Sequence, residues 1–252
     1  PRLSFCEIGK YIAEVMGCKD HLVVPFSELK EGIKKGEVDT HWPYTYHQRL
    51  FSYPTQEGEI DQMDRLIDRI AESPITRRAV ATTRAPEVDS YLKEDLPCLG
   101  EVQLRCPRDK EGNFVLNMDT RWRSRDLYKA WPDNVLALTF MQQVLAQKIE
   151  GRTGVKTKVG SYADYSTSLH IYGQDFSAIQ ENEEKGIRNF FDKFTIESFV
   201  SKCIDSERAK YDLVVPQLEE LKSEDEQWRF TLKSKSILND LISGLGSGRY
   251  TA

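Results

Sequence analysis

The sequence predicts an α+β fold in which short strands form a sheet covered by helices. Three segments carry that expectation. Residues 60–71 place Met63, Leu66, Ile67 and Ile70 at three- and four-residue steps, the stripe of an amphipathic helix, and Ser73-Pro74 ends it. The runs "EVQLRC" and "FVLNMDTRWRS" alternate apolar and polar residues around the turn-forming "PRDKEGN", which predicts an antiparallel hairpin. From 134 to 150, Val135, Leu138, Met141, Leu145 and Ile149 recur with helical spacing ahead of Gly151, so a long helix follows the hairpin.

The other elements are read from the same periods. Ile8, Ile12 and Val15 give residues 3–17 a helical stripe with Gly17 as its stop, whereas residues 25–47 read as irregular and charged. "RRAVATT" is small and β-branched, which favours a short strand, and "RAPEVDSYLKEDLP" reads as a loop. "KVGSYADYSTSLHIY" returns to strand composition. Beyond Phe176 the chain is mostly helical and highly charged, with "EELKSEDEQ" as a solvated face. The hairpin and strands alternate in a way that suits one covered face.

Composition excludes several classes. With 252 residues, 39% apolar and 30% charged, the chain has the profile of a soluble globular protein, and a single domain spanning 1–252 is expected. A net charge of −5 lacks the basic excess of a general nucleic-acid binder. No apolar run reaches the roughly 18 residues of a membrane span and no signal-peptide pattern opens the chain, so no membrane partner and a cytoplasmic location are expected. Cys6, Cys18, Cys98, Cys106 and Cys203 are odd in number without paired spacing, and the histidines do not cluster with them, so free thiols and no metal site are expected.

Several residues invite a chemical reading beside a structural one. Cys98 follows Leu96-Pro97 just before a strand, where a thiol can face a cleft, although cysteines are more often small buried hydrophobes. Arg77 and Arg78 would point to opposite faces if they lay on a strand, which suits salt bridges as well as an anion site. Arg123, Ser124 and Asp126 end the second hairpin strand, and a guanidinium with a hydroxyl suits phosphate oxygens. Arg125 adds similar charge if it faces the same way. His170 and Tyr172 share a strand face and can hold hydroxyls or fill a core.

In order and spacing, "SPITRRAVATTRAPEVDSYLKEDLPC", "RSRDLYKAWPDN" and "LHIYGQD" resemble the thymidylate synthase family, and "YHQRLFSY" extends the likeness upstream. It covers about residues 46–176, with a helical extension over 177–252. The resemblance implies a thymidylate synthase-like α+β domain whose mixed, mostly antiparallel sheet has helices on one face and meets a twin sheet across a homodimer. It implies transfer of a one-carbon unit from 5,10-methylenetetrahydrofolate, a co-substrate, to carbon 5 of a pyrimidine nucleoside monophosphate. Cys98 matches the nucleophile that adds to carbon 6, and Tyr46 a tyrosine near it. Arg123 and Ser124 match the phosphate-binding pair, with Arg77 and Arg78 reaching the same phosphate from the neighbouring subunit. Asn134 matches the residue that reads uracil O4 and N3, where a carboxylate would suit cytosine better. Asp126 matches an aspartate of the base and folate region, and His170 and Tyr172 a pair on the sugar 3′-hydroxyl. The resemblance also implies a catalytic glutamate on an early helix, a role that Glu7 or Glu14 could fill, with no motif to decide between them.

The departures cluster on the folate side. Leu99 stands where the family has histidine and Arg84 where it has tryptophan. Trp122 precedes Arg-Ser in place of a polar residue, Asp133 stands before Asn134 where an aromatic is common, and "SGLGSGRYTA" does not resemble the family's apolar tail. A synthase making dTMP from dUMP, a hydroxymethylase in which water replaces the hydride, and a non-catalytic nucleotide-binding protein on the same fold therefore all stay open.

Overall fold

The computed structural model describes residues 8–37, 42–55, 57–93, 96–176 and 214–246. Its centre is a four-stranded sheet in the order β3 (Val80–Thr82), β4 (Leu99–Arg105), β5 (Phe114–Trp122) and β7 (Thr157–Ser166). The first two pairings are antiparallel and the third is parallel. β4 and β5 form the expected hairpin. The parallel step to β7 requires a crossover, supplied by the long helix α6 (Ala130–Thr153). Between β5 and α6 the strand β6 (Arg125–Asp126) pairs in parallel with β8 (Leu169–His170), a separate two-stranded sheet, and β1 (Tyr53–Thr55) and β2 (Gly58–Ile60) pair antiparallel in another.

One face of the main sheet is buried. Leu99, Val102 and Leu104 of β4 and Phe114, Leu116, Met118 and Trp122 of β5 alternate into a single core. Each such side chain gains roughly 1.5–3 kcal/mol by leaving water. Asp119, Arg121 and Tyr165 point the other way and stay exposed, which gives the open face its polar character.

Helices fill the covered side. α1 (Ile8–Val15) buries Ile8, Ile12 and Val15 against α6, while α4 (Gln62–Glu72) buries Met63, Leu66, Ile67 and Ile70. Asp61 caps α4 by accepting from the Asp64 N–H at 2.8 Å. At the start of α4, Gln62 completes the free edge of β3: its amide accepts from the Thr82 N–H and donates to the Thr82 carbonyl. α7 (Val215–Ser223), α8 (Asp225–Trp228) and α9 (Leu232–Gly246) close the core through Leu218, Leu221, Leu238 and Leu241. No helix among the described residues is long and apolar enough to cross a membrane.

Some boundaries differ from the sequence expectation for local reasons. α6 runs past Gly151 and stops at Gly154, whose φ of +68° and N–H to the Glu150 carbonyl make it the left-handed cap. The helix also starts earlier than Asn134, with Pro132 tolerated in the first turn. The charged stretch expected to be irregular contains α2 (Phe26–Lys35) and the start of α3 (Tyr46–Phe51). Only Leu29 of α2 is fully buried, against Val88 and Leu92, so its apolar stripe is too narrow to stand out from the charge. Val88 itself belongs to α5 (Pro86–Asp89), a single helical turn within the expected loop.

A bulge between β5 and β7 is held from the helix side. Leu116 pairs with Val159 and Met118 with Tyr162, so two residues of β7 oppose Asn117. One of the two is Gly160, where any Cβ would run into the Asn117 side chain and Val115. From α6, the buried Gln142 amide donates to the Leu116 carbonyl at 2.8 Å and the Ser161 carbonyl at 3.1 Å. Gln142→Leu leaves both carbonyls without that donor, and urea unfolding should show a loss of about 1–3 kcal/mol.

On α1, Glu14 lies 3.4 Å from Lys19, yet burial outweighs the lysine and raises the carboxyl above its ordinary value of 4.5. The folded chain then binds this proton more tightly than the unfolded chain does, so stability falls as pH rises from the ordinary carboxylate range through the raised value. Glu14→Gln should remove that decline, giving a flatter stability profile between about pH 4 and neutrality in urea melts taken across pH.

Candidate active site

The β4–β5 pairing brings the first two candidates together. Leu99 pairs with Trp122, Glu101 pairs with Arg121, and Gly100 bulges between them. One residue further out, the Arg123 N–H donates to the Cys98 carbonyl at 2.9 Å. The Arg123 side chain folds back over the same loop, its Nε donating to the Pro97 carbonyl at 3.1 Å and its Nη2 to the Leu96 carbonyl at 2.8 Å. Cys98 is half-buried, with Sγ 3.9 Å from the Leu96 carbonyl, whereas Cys18 and Cys106 are core residues whose thiols burial pushes up to about 12.

Tyr46 closes the other side of this loop. It is the first residue of α3, whose N-cap Thr45 accepts from the Gln48 N–H and donates to Asp20. Its hydroxyl accepts from the Leu99 N–H at 3.3 Å, and its ring meets Trp122 edge-on at 5.8 Å. Burial first, and then the Cys98 charge, push the phenol up to about 12, so it is a neutral hydrogen-bonding group at ordinary pH.

Beyond Arg123 the side chains diverge. Ser124 is half-buried in the link to β6, but Arg125 turns inward, with Nη1 2.9 Å from Asp164 and its guanidinium 3.9 Å over the Trp122 ring. Arg125 therefore adds no charge beside Arg123. Asp126 folds the turn into α6: its Oδ1 accepts from the Tyr128 N–H at 2.8 Å and the Lys129 N–H at 3.3 Å. In the β6–β8 pairing Asp126 stands opposite His170, whose ring meets that of Tyr172 edge-on at 4.8 Å. Tyr172 follows β8 and is exposed, so the two share a site through ring contact rather than through one strand.

On α6, Asn134 is buried and its Nδ2 donates to the Tyr11 hydroxyl of α1 at 2.6 Å. Tyr11 has no signal in the sequence that would mark it. It lies at the edge of the Ile8–Ile12–Val15 stripe, where it reads as one more core residue, and the contact joins residues 123 positions apart. Glu14, one turn on, pairs with Lys19 instead. Glu7 lies outside the described residues.

Two candidates stand apart. Arg77 and Arg78 are exposed in the bend just before β3, so the two-faces-of-a-strand geometry does not apply to them. Val80 pairs with Gln103 and the Leu104 N–H donates to the Ala79 carbonyl, which puts the arginines at the far end of β4 from Cys98. At the strand rise that is roughly 20 Å. Arg84 reaches the buried carboxylate of Asp89, its Nε at 3.6 Å, while Arg49 grips the same carboxylate at 2.9 Å from within the core.

A cavity of about 320 Å³ lies beside Arg123, lined also by Gly100, Glu101, Arg121, Trp122, Tyr165 and Thr167. A slightly larger one near α2 touches none of the candidate residues, so size does not mark the site here. Among the described residues no group of three or more histidine, cysteine or carboxylate side chains could hold a metal ion.

The thymidylate synthase family model matches residues 31–218, which takes in every residue just named as a candidate except Glu7, Tyr11 and Glu14. A protein of Methanosarcina mazei with the name "Putative thymidylate synthase" is 33% identical over 160 residues, 64% of this chain and 66% of its own. One of Methanocaldococcus jannaschii with the same name is 34% identical over 143 residues, 55% of this chain and 60% of its own. In both, the matched part is less than two-thirds of the relative's length. With well over half of its residues matched by the family model, the chain belongs to the thymidylate synthase family.

Proposed function

We propose that the protein transfers a one-carbon unit from 5,10-methylenetetrahydrofolate to carbon 5 of a pyrimidine nucleoside monophosphate, converting dUMP to dTMP. The observation that carries the reading is the half-buried Cys98 at the start of β4, with Arg123 folded over its loop and Tyr46 bound to the next N–H. In this reading the Cys98 thiolate adds to carbon 6, and the electron pair moves through carbon 5 onto O4. Carbon 5 then attacks the one-carbon unit, loses its proton, and expels the folate amine to leave an exocyclic methylene. A hydride from tetrahydrofolate reduces that methylene as the Cys98–carbon 6 bond breaks.

Arg123 and Ser124 bind the phosphate, His170 and Tyr172 the sugar hydroxyl, and Asn134 the base. Asp126 lies between base and folate, and its carboxylate keeps one oxygen outside the turn that Oδ1 holds. Arg77 and Arg78 complete the phosphate site of a second subunit. Their position at the far end of β4 supports this role, since roughly 20 Å separates them from their own Cys98. The open, polar face of the sheet is the surface on which the two copies would meet.

Arg84 favours a second reading. It takes the place of an aromatic beside the folate and lies at Asp89, so in this reading water is less fully excluded there and adds to the exocyclic methylene to give a hydroxymethyl product.

Incubation with methylenetetrahydrofolate and each of dUMP, dCMP, UMP and CMP, followed by mass spectrometry of the nucleotide, should show dUMP gaining a methyl group. A hydroxymethyl gain selects the second reading, and no gain with any of the four removes both. Cys98→Ala should abolish turnover and any covalent adduct with 5-fluoro-dUMP. Mixing inactive Cys98→Ala with inactive Arg77→Ala/Arg78→Ala under subunit exchange should restore about a quarter of wild-type activity, because half of randomly formed dimers carry one intact site. Activity that stays at zero on mixing, with exchange demonstrated, places the arginines outside the site.

A further inference from the structure

We propose that Asp20 is a positioning residue for the reaction: by accepting a hydrogen bond from each of the two residues that flank Tyr46, it fixes the first turn of α3 so that the Tyr46 hydroxyl stays on the Leu99 N–H beside Cys98. The inference rests on the reaction proposed above, in which Cys98 is the nucleophile. Asp20 lies in the short turn between α1 and α2 and reaches α3 with both carboxylate oxygens.

The two bonds have one possible direction. A carboxylate only accepts, so Thr45 gives its hydroxyl proton to Oδ1 at 2.6 Å and His47 gives its Nδ1–H to Oδ2 at 2.6 Å. The Thr45 oxygen, having given that proton, still accepts from the Gln48 N–H at 3.0 Å, so each bond in the chain from Gln48 through Thr45 to Asp20 polarises the next. A negative charge also suits a helix N-terminus, where the first N–H groups lack partners within the helix. With six residues, α3 is too short to hold its own first turn, and its start depends on contacts made from outside.

The clamp is itself held in place. The Asp20 and His47 side chains are 17% and 12% exposed, so water competes little for the pair. The His47 ring stacks on Phe51 at 4.3 Å, and a Cβ on Gly17 would run into it. Beside Asp20, Lys19 stands 3.4 Å from Glu14 and 4.3 Å over the Trp228 ring, which ties the turn to α1 and α8.

Tyr46, between the two clamped residues, carries the consequence to the thiol. Its hydroxyl makes a long bond, 3.3 Å from the Leu99 N–H, and a shift of the first turn by about 1 Å takes it out of bonding distance. The Cys98 charge is among the causes that raise the Tyr46 phenol, which puts the hydroxyl next to the nucleophile.

Asp20→Leu keeps the branched shape and removes both acceptors. Turnover of dUMP with methylenetetrahydrofolate, measured where circular dichroism shows each variant folded, should fall about tenfold in kcat with KM for dUMP unchanged. Tyr46→Phe should fall at least as far, and Asp20→Leu/Tyr46→Phe no further than Tyr46→Phe alone, because the clamp acts through the hydroxyl that Phe lacks. His47 supplies a second arm should Asp20→Leu not fold. His47→Asn, whose Nδ2 stands where the imidazole Nδ1 does, should keep most of the wild-type kcat, and His47→Leu should lose it. A double variant whose loss equals the product of the two single losses overturns the proposal, and so does a kcat equal in His47→Asn and His47→Leu. A role in stability alone would lower the melting temperature and leave the kcat of the folded enzyme unmoved. Wild type that turns over dUMP alongside any of these outcomes sinks this inference alone. Wild type that turns over none of the four nucleotides sinks the functional reading and this inference together.

Discussion

The register of β4 on β5 is the constraint from which the candidate site follows. Leu99 opposite Trp122 fixes Cys98 opposite Arg123, and the main-chain bond between them holds the thiol loop to the arginine whatever the side chains do. A slip of one residue would turn Leu99, Val102 and Leu104 out of the core and carry the Cys98 loop away from Arg123 at once. Stability and site geometry therefore depend on the same pairing. The bulge at Gly100 marks the place where the regular ladder ends and the loop bearing Cys98 begins.

The second anchor is α6, which must serve the sheet and the site together. Its lower part fills the core with Leu138, Met141, Leu145 and Ile149 and uses Gln142 to hold the β5–β7 bulge. Its first turns carry Asn134 toward α1. Asp126 fixes the turn that starts the helix, so the position of Asn134 relative to Arg123 is set by a short, hydrogen-bonded link rather than by a free loop. The neighbouring arginines show how closely this link is specified: Arg123 folds over the Cys98 loop, while Arg125, two residues on, is buried between Trp122 and Asp164.

The large elements were legible because each repeats its own signal. The α4 and α6 stripes and the β4–β5 alternation are periodic over many residues, and the order of Arg-Arg, Pro-Cys, Arg-Ser-x-Asp, Pro-x-Asn and His-x-Tyr marks the site along the chain. What stayed hidden depends on single contacts between distant residues. Tyr11 meets Asn134 across 123 positions and Arg49 meets Asp89 across 40, and no local spacing announces either pairing. α2 was obscured differently, because one buried leucine amid charge is a weak stripe. Gly151 misled as a helix stop because a glycine ends a helix only where the backbone turns left-handed, which happens at Gly154.

The two halves of the candidate site differ in what holds them. The nucleotide side, in the proposed reaction, rests on main-chain pairings of β4, β5, β6 and β8, which tolerate changes in side chain. The folate side, in the proposed reaction, rests on Arg84, and Arg84 is tied to the fold through Asp89. That carboxylate has no exposed surface, and it is held by Arg49 at 2.9 Å and by the Ala85 N–H at 2.6 Å. Removing one member of such a buried pair costs about 3–5 kcal/mol, since the other charge is left without compensation. A third charge beside the pair cannot be exchanged for an aromatic without changing the field in which the pair is buried. Arg84 is therefore coupled to the core through Asp89.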